Sequence, residues 1–353
     1  MNQKKFVGLD VYKETIAIVV INEQGEVLMQ SVIATDAEIV SDFLRGLSGE
    51  LYVVLEVGTQ SNWLCRQISG DCQQVVLCNP RHNKLLMVGN KADLAVAEKL
   101  AQLLRLGSLK QVWQSSKNQQ QLKELVRTHE NLVSDCIRVM NRLKALFRSQ
   151  GIKCAGTCLY HPGKRDDWLA KLVETGINFR AETLFTQLTI LTALRRTAKQ
   201  RMLAEARKRS DFKRLCRIPG LGLVNVSRLL AQVGSPHRFA GKRAFWSYCG
   251  LSVITRTSAE HLIINGKLKK KTKPAATRGL TRDYCHRLKN VFKMAAQKTA
   301  RREPFRHYYE SLLASGTRPA LAQLSLARKI AATTLAIWKT QTEFEERRLT
   351  TAT

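Results

Sequence analysis

The chain has 353 residues, 44% hydrophobic and 24% charged, a composition that supports two or three packed cores and excludes wholesale disorder. Its 58 Lys+Arg against 28 Asp+Glu are unevenly placed: residues 1–110 hold 11 against 12, so residues 111–353 hold 47 against 16, a net +31. No apolar run reaches the roughly 18 residues of a membrane span, and no secretion signal opens the chain, so the expectation is a cytoplasmic protein whose basic two thirds grip a polyanion.

In chain order, residues 5–10, 15–22 and 26–34 read as strands, followed by a helix over about 36–47. Leu51–Val57 is apolar enough for a strand buried on both faces. A helix near 60–69, a strand at Gln74–Cys78 and a helix from Asp93 to Leu106 complete the module. A three-strand meander followed by alternating helix and strand is the order of an α/β ribonuclease-H-like fold, and an actin-like or other mixed α/β domain shares it. From Ser116 the pattern changes. Leu122, Leu125, His129, Leu132, Cys136, Val139, Leu143 and Leu146 form a heptad seam, the mark of a long helix packing on another. A second long helix over about 181–208 carries Leu184, Leu188, Leu191 and Leu194. The two can pair within one chain as an antiparallel hairpin, or between chains. Residues 154–180 receive no assignment. Residues 211–340 read as a compact, mostly helical domain with a basic loop in its middle, and the tail after about Glu343 as frayed. The expected domains are therefore 1–110, 111–210, 211–343 and a flexible tail at 344–353.

Nine scattered cysteines, an odd number in apolar surroundings, read as reduced thiols. Cys154, Cys158 and His161 have metal-ligand spacing but no obvious fourth ligand. The carboxylates are more telling. Asp10 closes the first strand, and Glu56 lies near the end of the buried run from Leu51. Neighbouring first and fourth strands would bring the two to one edge, and Asp93 at the next helix could join them. Such hard oxygens suit Mg²⁺ at a phosphate; local capping or pairing is the other reading. In the second half, Gly220 and Gly222 in Arg217-Ile-Pro-Gly-Leu-Gly222 precede a helix, the pattern of a helix-hairpin-helix turn whose backbone N–H groups can meet a DNA phosphate. Phe245, Trp246 and Tyr248 read as core, with base-stacking platforms as the other reading. Lys269, Lys270 and Lys271, in the run Lys267–Lys273, read as contacts to a nucleic-acid backbone.

Several stretches together resemble one family. They are Val7-Gly8-Leu9-Asp10-Val11-Tyr12-Lys13, Leu55-Glu56-Val57-Gly58-Thr59, Val75–Leu77 with Cys78-Asn79-Pro80-Arg81, and Lys91-Ala92-Asp93. The second half adds Ile218–Gly222, Phe239, Tyr248-Cys249-Gly250-Leu251 leading to Ser258, Pro304-Phe305 and Ala327-Arg328-Lys329. In this order, over about 5–340, the chain resembles the DEDD transposases of the IS110 and IS1111 insertion-sequence group, relatives of the Piv DNA invertases. The resemblance implies a RuvC-like N-terminal domain with an acidic Mg²⁺ site, a coiled-coil segment and a C-terminal transposase domain with a catalytic serine. It implies recombination of donor and target DNA directed by a structured non-coding guide RNA, through a serine-linked DNA intermediate. It further implies a homo-oligomer, dimer to tetramer, in which one protomer's acids complete another's serine site, associated with the nucleoid when bound to DNA. Asp10, Glu56 and Asp93 map onto the first three acids and Ser258 onto the serine.

Two departures stand out. The pattern Lys-x-Asp-x-x-Asp-Ala places its fourth acid at position 96, where this chain has Val96; Glu98, five residues after Asp93, points roughly 140° away. Ser258 precedes Ala259 where the family usually has glycine, and Val253 replaces the usual proline, so Ser252 and Thr257 are rivals for the nucleophile. Val96 also motivates a second reading, a degenerate member that binds RNA and DNA without cutting. A RuvC-type junction nuclease is a third, one that leaves Ser258 without a task.

Overall fold

The computed structural model describes residues 3–79, 92–256, 261–264, 267–270, 276–281 and 283–346, with the backbone alone between 255 and 278. The chain forms two compact units, residues 1–114 and 115–353.

The first unit is built on strands β1 (Lys4–Val11), β2 (Thr15–Ile21), β3 (Val27–Ala34), β4 (Glu50–Glu56) and β5 (Gln74–Cys78), with helices α1 (Ala37–Arg45), α2 (Ser61–Ile68) and α3 (Asp93–Arg105). The sheet order is β3-β2-β1-β4-β5. β2 runs antiparallel to its neighbours β1 and β3, while β4 pairs parallel to both β1 and β5. The first and fourth strands are thus neighbours, as the sequence reading expects of this strand order. Side chains alternate across a strand, and here both faces are covered. Val7, Leu9, Ile16, Ile18, Val53 and Leu55 pack with Val40, Leu44, Leu64 and Ile68 of α1 and α2. On the opposite face α3 sets Ala97 and Ala101 against Ala17, Val19 and Ile21, and Leu100 and Leu103 against Val54 and Val76. Two-sided burial explains why β2 and β4 are nearly unbroken apolar runs. Asp36 caps α1, accepting from the backbone N–H of Glu38 at 2.8 Å.

The second unit begins with α4 (Lys117–Ser149), capped by Ser116, then a short α5 (Arg165–Leu169) and α6 (Thr175–Arg207). The far end of α4, with Cys136, Val139, Leu143 and Phe147, packs on Leu184, Phe185 and Leu188 near the start of α6. Its near end, Leu122 and Val126, meets Met202, Leu203 and Ala206 near the end of α6. The seam is therefore closed inside the chain as an antiparallel hairpin, and its buried leucines are not free to join protomers. α6 starts at Thr175, earlier than the expected 181, and residues 158–169, unassigned from sequence, form short helical turns whose Leu159 and Trp168 pack over the hairpin's connected, distal end.

The hairpin's base shares a core with α7 (Asp211–Cys216), α8 (Leu223–Val233), α9 (Lys242–Tyr248), α10 (His286–Thr299), α11 (Arg306–Ala314) and α12 (Pro319–Thr340). Phe245, Phe292, Phe305 and Trp338 are fully buried there, and the Trp338 indole donates to Asp211 Oδ2 at 2.7 Å. Phe245 is core, as its sequence suggests. Between α9 and α10 lie β6 (Val253–Arg256), β7 (His261–Ile264), β8 (Lys267–Lys270) and β9 (Ala276–Leu280); β6 pairs with β9 and β7 with β8, both antiparallel. Part of the expected basic loop is thus a strand. Asn265-Gly266, between two short runs, is the hairpin signal that the lysines obscured.

Candidate active site

The first unit gathers its acids by strand alternation and one close helix approach. Leu9 pairs with Leu55, so Asp10 and Glu56 stand side by side at the ends of adjacent parallel strands. Asp10 shares its face with Gly8, and Glu56 shares its face with Val54. Both point to the α3 side. A Cβ on Gly8 would stand 1.9 Å from the Ala97 carbonyl oxygen, so α3 crosses β1 in backbone contact at this residue. Asp93 lies one turn before Ala97, at the first position of α3, which carries the acid toward Asp10. An acid there also suits the helix dipole. The end of β4 is held by Ser61, whose hydroxyl donates to the Gly58 carbonyl at 2.9 Å and accepts from its N–H.

Electrostatics follow from this crowding. Asp10 is buried, and its Oδ2 has no hydrogen-bond partner among the described residues. Burial pushes its carboxyl above the ordinary value, a hydrogen bond from Tyr12 opposes this, and the charge of Asp93 adds to the rise. Glu56 is raised by burial and then by the charge of Asp10. Tyr12 is pushed up to about 12, first by burial, then by the Asp10 charge and by its bonds to Asp93 and Asp10. This phenol links two carboxylates, a contact the sequence reading missed; the available signal is its spacing two residues after Asp10. Oxygen donors with an unpartnered buried Oδ2 are chemically fit for a hard divalent cation. Among the described residues, however, no three of His, Cys, Asp and Glu converge as a ligand group, so the acids meet pairwise through Asp10. That also leaves Cys154, Cys158 and His161 without a metal geometry.

Val96, at the fourth-acid position, packs against the cluster of Val54, Val76, Cys78 and Leu100. The helix face that would carry a carboxylate is here half-buried against that apolar cluster. Burial pushes the Cys78 thiol up to about 12, with Glu56 adding to it, and Cys65 likewise to about 12, so neither is a thiolate nucleophile.

In the second unit, Gly220 has φ +87°, and a Cβ there would approach Thr299 and Ala295 of α10 at 2.9–3.0 Å. Gly220 is the packing glycine of the turn. Gly222 caps α8 in extended conformation, and among the described residues a Cβ there would meet nothing within 4 Å, so its backbone is open to an approaching anion. Glu130 on α4 ties this region together through Arg228 of α8, at 2.9 Å, and Arg287 of α10. Ser258, its rival Thr257 and Lys271 lie outside the described residues, as do the side chains of Lys269 and Lys270 on β8. Ser252 is described: its carbonyl accepts from the Thr281 N–H at 3.2 Å. The segment before it is firmly placed. Gly250, at φ +67°, lies beneath the Tyr284 ring, and Arg328 Nε donates to the Leu251 carbonyl at 2.6 Å.

Two family profiles match the chain. One, for the DEDD type of IS110 and described as "Transposase", covers residues 7–150; the other, "Transposase IS116/IS110/IS902 family", covers residues 212–310. The "Transposase for insertion sequence element IS1111A" of Coxiella burnetii is 24% identical over 274 residues, 76% of this chain and 74% of the relative. The "Putative transposase y4pF/y4sB" of Sinorhizobium fredii is 24% identical over 212 residues, 59% of this chain and 54% of the relative.

Proposed function

The chain belongs to the transposase family of IS110 and IS1111 type, and we propose that it is the recombinase of an insertion sequence, cutting and rejoining DNA under the direction of a structured guide RNA. The observation that carries this reading is the acidic edge: Asp10, with an unpartnered buried oxygen, between Glu56 and Asp93 in a unit of ribonuclease-H-like strand order. In this reading the first unit is RuvC-like. Asp10, Glu56 and Asp93 would hold a divalent cation, Mg²⁺ by the hardness of the donors, which when bound offsets charge on the scissile phosphate and favours the ionised nucleophile. Tyr12 orients two of the carboxylates.

The nucleophile is Ser258. Its hydroxyl oxygen attacks phosphorus, gives up its proton to a base, and forms a serine–phosphate ester as the DNA bridging O–P bond breaks and the leaving oxygen takes a proton. One phosphoester replaces another, so the bond energy is kept for rejoining and no outside energy source is required. The basic second unit, with Gly222, Lys269, Lys270 and Lys271, holds the RNA and DNA backbones. Chains act as dimers to tetramers, with one protomer's acids serving another's serine.

The Val96 packing favours one second reading, a chain that binds nucleic acid without cutting. The test incubates the protein with donor DNA, Mg²⁺ and RNA transcribed from sequence flanking its gene, and looks for a covalent adduct on a denaturing gel. The wild type is expected to form it and Ser258→Ala and Asp10→Asn to bind without forming it. An adduct in Ser258→Ala moves the assignment to Ser252 or Thr257. Binding without an adduct in the wild type, with cutting restored in Val96→Asp, establishes the second reading instead.

A further inference from the structure

The second unit encloses a cavity of about 700 Å³ between α9, α11, α12 and residues 342–345, within the roughly 300–1,000 Å³ range of small-molecule sites. Cations line it: Lys242, Arg328, Lys329 and Lys339. So do the rings of Trp246 and Tyr308, over a floor that includes Ala332 and Leu335 of α12.

Arg328 is the informative member. Its Nε is engaged by the Leu251 carbonyl, and its backbone carbonyl accepts from the Trp246 indole at 2.9 Å, so cation and ring are fixed to each other. Its Nη2 is buried with no hydrogen-bond partner among the described residues. A buried guanidinium nitrogen without an acceptor is costly unless a ligand supplies one. Burial holds the Arg328 guanidinium below its usual range, and burial together with the charge of Lys242 does the same to the Lys329 ammonium. An anion among these groups would relieve both effects. The Lys329 ammonium also stands 5.5 Å from the Tyr308 ring centroid. Two carboxylates reach the rim: Glu343, already paired with Arg217 at 2.9 Å, and Glu345. With Phe344 between them, these residues set acid, ring and acid against the cavity, an order that matches phosphate, base and phosphate along a single strand.

We propose that this cavity binds one unstacked nucleotide of a single-stranded polynucleotide, with its phosphate on Lys242, Arg328 and Lys329 and its base against Trp246 and Tyr308. Several cations around one opening select a phosphate, and an aromatic wall over an apolar floor takes a base of any sequence. A duplex does not fit this chemistry, because its bases are already stacked. The proposal rests on the chain's handling of nucleic acid and not on its cutting any; its test reads binding, so an inactive acidic site and an empty cavity are told apart.

The full-length protein is mixed with short single strands carrying a photoreactive base, 5-iodouracil in an oligo-dT strand or 4-thiouracil in an oligo-U strand, irradiated, and digested for mass spectrometry. Cross-links to Trp246, Tyr308 or Phe344 are expected, and the strand that gives them identifies DNA or RNA as the source. Ala332→Phe fills the cavity without altering charge and should abolish those cross-links while sparing cross-links elsewhere. The double variant Lys242→Gln, Lys329→Gln, on the cavity's accessible cations, should weaken binding of these strands by about tenfold or more and decides the matter if Ala332→Phe does not fold. Cross-links only outside the cavity in a bound wild type, or unchanged affinity in the folded double variant, overturns the proposal.

Discussion

A carboxylate at Asp10 is in a poor place for a charge and a good one for a cation. It follows Leu9 in a strand with both faces covered, has an unpartnered oxygen, and faces two other acids. Folded Asp10 and Glu56 hold their protons more tightly than in the unfolded chain. The metal-free protein is therefore penalised as pH rises through their raised pKa values and relieved as pH falls back toward the ordinary carboxylate range. Asp10→Asn should melt roughly 2–4 °C above wild type at pH 7.5 in a chelator, with the gap closing near pH 4. Mg²⁺ should raise the wild-type midpoint and leave the variant's unchanged. Equal midpoints in chelator at both pH values would show that Asp10 is comfortably solvated. At this scale, the two strand-end acids were legible because a carboxylate ending an apolar run is conspicuous. Tyr12 was not, since a phenol after a strand looks like any strand residue. The surroundings of Val96 were invisible until α3 was seen to turn that position to the core.

At the scale of elements, Gly8 decides where α3 can lie. Any Cβ there collides with the Ala97 carbonyl, a backbone atom that cannot rotate away. Gly8→Val should cost about 3 kcal/mol, at the upper end for overpacking, read by denaturant unfolding; because α3 must shift, it should also lose the Mg²⁺-induced rise in melting temperature. A variant of wild-type stability would mean that α3 does not cross β1 in this contact. The long hairpin carries a different expectation. Leu143 is fully buried between α4 and α6 of one chain, so Leu143→Asp should unfold the hairpin's distal end, losing helical circular dichroism at 25 °C. If instead the helicity stays and a multimer falls apart on a sizing column, the seam joins chains. Helices and the central strands were readable because periodicity and burial agree in them. β7 and β8 were not, because β8 is Lys267-Leu-Lys-Lys270, a composition with little strand propensity, and its pairing comes from the partner strand His261–Ile264.

The whole molecule separates charge by unit: the first unit, residues 1–114, has a net −1 and the second a net +31. With 47 cations against 16 acids, most of the second unit's positive charge must be balanced by counterions in the free protein, and those ions are released when a polyanion replaces them. Affinity for duplex DNA or structured RNA should therefore fall steeply with salt, and the slope measures how many phosphates are contacted. If Lys269, Lys270 and Lys271 each meet a phosphate of duplex DNA, changing all three to Gln should flatten the log–log slope by about 2.7, from roughly 0.9 per contact. Changing Lys4, Lys5 and Lys13 to Gln in the first unit removes the same charge and should leave the slope nearly unchanged. Equal flattening by both triple variants would mean that net charge alone drives binding, with no localised contact at the lysine run. A slope untouched by either would place the phosphate contacts elsewhere on the second unit, with Gly222 at the open end of α8 the next position to probe.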